Sequence, residues 1–148
     1  MTNVRKMTGT VLASGCVATV AAAMGLAVTS ATSHADPAGH QVTYTVTSPN
    51  NLTANVTYVS SDPPSQAAFN ADPSKFSTSL QAPLSGGTPV TYTATLTNPN
   101  QNASISANGI LHWPDSGNGP AQFHCEIAVD GQVVAHQDAT TTVTCRVG

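Results

Sequence analysis

The sequence predicts an all-β fold, an immunoglobulin-like antiparallel β-sandwich of about seven strands. In several segments threonine alternates with valine, tyrosine and leucine at a period of two, as expected of strands with one buried and one wet face. Clusters of Gly, Pro, Asn and Ser punctuate these segments at short intervals. No stretch carries an apolar stripe at helical spacing. A barrel satisfies the same signals.

Taken in order, the 148 residues begin with Arg5 and Lys6, followed by an uncharged run over 7–33 rich in Ala, Val, Leu and Met. Ser33-His34-Ala35 then places small residues at the two recognition positions of an export cleavage site. Residues 1–35 are therefore predicted to be a signal peptide and 36–148 the β-sandwich domain. The run at 7–33 is also long enough for a retained membrane anchor, although its threonines, serines and glycines dilute its apolarity. Ala13-Ser14-Gly15-Cys16 faintly matches a lipoprotein box, but Leu12 lies one place too far upstream and most of the apolar run follows the cysteine.

After a short lead-in come the alternating segments. Val42, Tyr44 and Val46 interleave with Thr43, Thr45 and Thr47; Leu52, Ala54, Val56 and Tyr58 with Thr53, Asn55 and Thr57; Val90, Tyr92, Ala94 and Leu96 with threonines 91 to 97. Threonine suits a wet strand face because its branched Cβ fits the pleat and its hydroxyl satisfies water. The last strand sets Thr141, Val143, Cys145 and Val147 against Thr142, Thr144 and Arg146. Turns are expected at Ser48-Pro49-Asn50-Asn51, Ser85-Gly86-Gly87, Asn98-Pro99-Asn100, Asn108-Gly109 and Gly117-Asn118-Gly119-Pro120. The stretch 61–83 breaks the rhythm: Pro63, Pro64 and Pro73 predict a long loop with at most one helical turn near Gln66 to Asn70. Phe76, Thr78 and Leu80 resume a strand.

Without the leader, only Lys75 and Arg146 stand against seven carboxylates, a net charge of −5. That balance disfavours nucleic acid and electrostatic docking on anionic lipid. Cys125 and Cys145, an even pair in an exported chain, are read first as a disulfide whose loop contributes roughly 3 kcal/mol. A free thiolate or a thiolate metal site is the alternative.

The segment between them turns on Asp130-Gly131, a pair that tolerates the positive φ values of a type I′ hairpin. A plain two-residue turn puts Cys125 opposite His136, and His124 and Glu126 then lie on the face opposite to His136. One extra bulged residue instead brings Glu126 opposite His136 beside His124, a zinc- or copper-type donor set, against which stands a solvated strand face. His112-Trp113-Pro114-Asp115 is the other candidate, because His112 and Asp115 could orient one another as a general-base pair. No G-x-S-x-G elbow, phosphate loop or second acidic partner accompanies it. No catalytic residue and no cofactor is assigned, and Trp113 is read as a core or interface anchor.

VTYTVTS, NLTANVTYVSSD, PVTYTATLT and FHCEIAVDGQVVAHQ with a terminal TCRV resemble the extracytoplasmic domain of the mycobacterial small membrane proteins (MmpS). The resemblance implies a small β-sandwich that assists RND-type exporters of lipids or siderophores, with such a transporter as partner. The cleavable leader and the Pro-rich excursion depart from that family.

The reading is thus an exported, non-enzymatic envelope binding or accessory module. Tyr44, Tyr58, Tyr92, Phe123 and Trp113 are expected to supply core and anchor area. The alternative is a secreted carrier of an apolar small ligand, which requires a pocket of several hundred Å³.

Overall fold

A computed structural model describes residues 39–148. The predicted signal peptide, the alternative anchor at 7–33 and Cys16 lie outside the described residues. Among the described residues no helix is long and apolar enough to cross a membrane.

Eight strands form two antiparallel four-stranded sheets. They are β1 His40–Thr47, β2 Leu52–Val59, β3 Ser77–Leu84, β4 Val90–Leu96, β5 Ser104–Leu111, β6 Gln122–Val129, β7 Gln132–Thr140 and β8 Thr142–Arg146. The first sheet runs β4-β1-β6-β7 and the second β3-β2-β5-β8. The expected antiparallel sandwich is therefore present with eight strands instead of about seven.

The added strand is β5, a central one, where Asn108-Gly109 had signalled a turn. The pair sits in mid-strand, because Gly109 meets its neighbour too closely for a side chain. A Cβ there would lie 2.6 Å from the Thr53 carbonyl oxygen and 2.7 Å from Leu52 Cδ1. Glycine here marks a close backbone approach rather than a reversal.

The period-two pattern works as read. Val42, Tyr44 and Val46 of β1 and Leu52, Ala54 and Val56 of β2 are fully buried, as are Ile105, Ala107, Cys125, Ile127 and Val143 from the strands beside them. Each large aliphatic side chain buried in this layer contributes about 1.5–3 kcal/mol. Thr141, assigned to the inward face of the last strand, instead precedes β8 with φ 68° and is exposed. It forms the corner by which the chain passes from one sheet to the other.

Cys125 of β6 and Cys145 of β8 form the predicted disulfide, with their Cα atoms 6.0 Å apart. Since β6 and β8 belong to different sheets, the bridge staples the sandwich through its core. Phe123 is buried, and Tyr44, Tyr58 and Tyr92 pack in series with ring centroids 5.3 and 5.0 Å apart. The Tyr44 hydroxyl donates to the Val59 carbonyl at 2.8 Å, and burial, helped by the negative Asp62, pushes its pKa well above the ordinary tyrosine value. Trp113 is corrected as a core residue: it is 86% exposed.

The excursion contains one short helix, α1 Gln66–Ala71, capped by the Ser65 side chain on the Ala68 N–H. Asn98-Pro99-Asn100, expected as a turn, opens a single-turn helix, α2 Pro99–Asn102. The chain entering it is anchored by Asp62, whose carboxylate accepts from the Thr97 and Asn98 N–H groups and from Asn102 Nδ2 at 2.6 Å. Partial burial pushes the Asp62 pKa up, but the hydrogen bonds from Asn102, Thr97 and Asn98 together hold it below the usual carboxylate range.

Asp62→Ala is expected to destabilise the domain by about 1–3 kcal/mol, since it removes three hydrogen bonds to a charged acceptor. Because the folded-state pKa is depressed, the contribution is present above the unfolded value and is lost as pH falls through the folded one. Thermal melts of wild type and variant should differ at neutral pH and converge in acid. A gap that persists in acid would refute the charge-based part of this account.

Candidate functional site

The hairpin residues are held by backbone geometry. Asp130 and Gly131 have φ of 50° and 83°, and Val129 pairs with Gln132, so the turn is the two-residue one. The Asp130 carboxylate pairs with His40 Nδ1 at 2.6 Å and accepts the Gln41 N–H at 3.0 Å. The His40 contact first, then the Gln41 N–H, draws the Asp130 pKa down. This turn is tied to the start of β1 and fixes where β6 ends.

Two residues beyond the turn a register shift between Ile127 and Ala128 skips Val134, so that Glu126 faces His136 and His124 faces Asp138. The alternative register is thus reached through a bulge inside β7 rather than in the turn. The donor trio still does not converge. His124 Nδ1 is taken by Asp138 at 2.9 Å, and among the described residues no three His, Cys, Asp or Glu side chains stand together as a metal-holding group. On this edge strand Val133 and Val134 remain exposed.

His112 and Asp115 do not pair either. His112 Nε2 meets Thr53 Oγ1 at 3.0 Å, while the Asp115 carboxylate accepts from the Asn51 N–H at 2.6 Å and from Asn51 Nδ2 at 3.0 Å. The His112 N–H also donates to the Asn51 carbonyl at 2.8 Å. These bonds brace the loop after β5 at both ends, and Trp113 projects from it into solvent.

Sequence reasoning missed the surface that this loop borders, the outer face of the second sheet. Register builds it in rows across the strands. Gln81, Asn55, Asn108 and Thr142 form one row, in which Asn55 Nδ2 donates to Asn108 Oδ1 at 3.4 Å. Ser79, Thr57, Ser106 and Thr144 form the row on one side; Pro83, Thr53 and Ile110 form the row on the other. Above the amide row the face is hollowed into a cleft of about 540 Å³ that reaches His112.

Ile110, 82% exposed, stands at its rim. At the opposite end, Ser104 and Arg146 pair across the strands and, with Val59 and Phe69, line a smaller cleft of about 80 Å³ beside α1. The latter is too small for the apolar cargo of a carrier. The signal available in the sequence is the outward set Thr53, Asn55 and Thr57, while Asn108 reads as a turn and Gln81 lies in the irregular stretch. Their union into rows depends on strand order, which alternation does not encode.

A family model described as the Rv2576c beta-sandwich domain matches residues 44–145. The chain is 50% identical to uncharacterized protein Rv2576c of Mycobacterium tuberculosis (strain ATCC 25618 / H37Rv) over 145 residues, 98% of this chain and 88% of that protein. The same figures hold for uncharacterized protein Mb2606c of Mycobacterium bovis. These findings overturn the resemblance to MmpS, and the expectation of an RND-type partner loses the resemblance on which it rested.

The features that suggested MmpS are ones a small antiparallel sandwich uses for its own architecture. They are inward Val and Ile at a period of two, an Asp-Gly hairpin, and two cysteines joining the sheets. With the model spanning the sandwich and half of all aligned positions identical, the chain belongs to the Rv2576c beta-sandwich domain family.

Proposed function

We propose that the protein is an exported, non-enzymatic recognition module of the cell envelope, and that it binds through the outer face of the second sheet. The observation that carries this reading is the pairing of a hollowed polar face with two large apolar side chains held in solvent at one end. Ile110 and Trp113 are 82% and 86% exposed, and the loop bearing Trp113 is braced by Asn51, Thr53 and Asp115. A large aromatic side chain exposed on a loop whose backbone is already fixed is an economical binding anchor, because the backbone ordering of that loop does not have to be supplied on contact. The candidate acid–base groups are engaged elsewhere: His112 with Thr53 and Asp115 with Asn51. This supports recognition over turnover.

The test is co-sedimentation of the purified domain, residues 36–148, with a mycobacterial envelope fraction. Wild type is expected to pellet, and the double variant Trp113→Ala with Ile110→Ser to remain in the supernatant, with unchanged melting because both residues lie outside the core. A wild type that stays in the supernatant, or a variant that pellets equally, overturns the proposal.

A further inference from the structure

We infer that the ligand of this face is a neutral oligosaccharide or polysaccharide chain; the inference rests on the recognition role proposed above and names its ligand class. The floor is made of hydroxyls and carboxamides. Across its centre Gln81, Asn55, Asn108 and Thr142 stand side by side, all exposed, with threonines and serines in the row beside them. A carboxamide offers one acceptor and two donors, and a sugar hydroxyl needs one partner of each kind, so a line of amides matches a line of vicinal hydroxyls. Binding of this sort removes no formal charge from water.

The apolar residues complete the match. Sugar rings carry C–H faces as well as hydroxyls; Ile110 lines the cleft with apolar surface, and exposed Trp113 follows His112 of the same lining in the chain. The cleft over the amide row, about 540 Å³, lies within the range of small-ligand sites. The face is also elongated. From the Ser104–Arg146 pair to Ile110 it follows β5 for about 20 Å at the usual rise per strand residue, enough for a chain of several sugar rings.

Other occupants fit less well. A polyanion would need cations, and the rows supply only Arg146, at the far end from the cleft. A peptide strand added by main-chain pairing would join the sheet at its edge strands, β3 or β8, and would leave the amides of Asn55 and Asn108 on the central strands uncovered. A protein docked flat on the face would cover rows of hydroxyls and amides with only Ile110 and Trp113 as large apolar contacts.

Native gels cast with neutral polysaccharides test this directly, because the domain is acidic and migrates freely when it does not bind. The probes are a linear α-glucan, a linear β-glucan and a mannan, with alginate as the acidic control. Retardation is expected in at least one neutral gel and not in alginate. The double variant Asn55→Ala with Asn108→Ala should weaken it at least tenfold at unchanged melting temperature, and Thr45→Ala on the other sheet should leave it intact.

Envelope fractions supply the second arm: periodate, which cleaves vicinal diols, should abolish sedimentation, and protease should spare it. If protease abolishes sedimentation and periodate spares it, the glycan inference fails while surface recognition stands. If no neutral gel retards the domain, or the amide variant is retarded like wild type, the inference fails as well. If untreated envelope does not pellet the domain at all, both readings fall together.

Discussion

Replacing Cys125 and Cys145 together with alanine is expected to lower stability by about 3 kcal/mol through the lost loop closure alone. The true loss should be larger, because both sulfurs are buried and their removal leaves unfilled space between the sheets. For a domain of this size that corresponds to a fall in melting temperature on the order of ten to twenty degrees. Circular dichroism melts of wild type with and without reductant, beside the double variant, measure it, and intact mass verifies the two-proton deficit of the bridged form. An unchanged melting point would remove the staple from this account. Because the bridge reaches β8, and β8 carries Thr142, Thr144 and Arg146 of the outer face, the same variant should also lose binding near its melting range.

What the sequence made legible follows from what alternation encodes. A strand with one buried face writes its inward positions as every second residue, so Val42, Tyr44 and Val46 could be assigned to the core without coordinates. The disulfide was legible for a similar reason, since an even pair of cysteines behind a predicted export signal is read first as a bridge, and Cys125 and Cys145 are bonded. β5 was missed because the local turn preference of Asn-Gly is strong and the contact that overrides it is distant in sequence. Trp113 shows the same limit: bulk and apolarity suggest burial, but the bonds that hold its loop outward run from Asp115 to Asn51 and from His112 to Thr53.

The candidate site was less legible than the fold. Each row of the outer face takes residues from three or four strands that are far apart in the chain, Gln81 beside Asn55 beside Asn108 beside Thr142. Alternation marks Asn55 and Thr142 as outward, whereas Asn108 reads as a turn and Gln81 falls in the irregular stretch; only sheet order says that the four stand together. The hairpin gives the converse case. There both registers could be written down in advance, and a bulge at Val134, which no residue type announces, selected the one that sets Glu126 against His136.

Gly109→Val is expected to destabilise the domain by about 3 kcal/mol, at the upper end of ordinary overpacking costs. The first atom that a new Cβ meets is the Thr53 carbonyl oxygen at 2.6 Å, a backbone atom of the neighbouring strand that cannot rotate away, followed by Leu52 Cδ1 at 2.7 Å and Ala54 Cα at 3.1 Å. Relief requires β5 to move off β2, which breaks pairing in the middle of the second sheet. Gly117→Ala is the matched control: nothing lies within 4 Å of its added Cβ, so it should be neutral or slightly stabilising through the unfolded chain.

Urea denaturation of the pair separates the readings. If Asn108-Gly109 were a surface turn the two variants would behave alike, whereas a buried approach between central strands predicts a much lower midpoint for Gly109→Val only. The effect should reach function by the same route. Asn108 is the immediate neighbour of Gly109 and bonds Asn55 across the gap that a valine would force open. Even under conditions where Gly109→Val remains folded, the amide row should therefore be broken and sedimentation with envelope weakened.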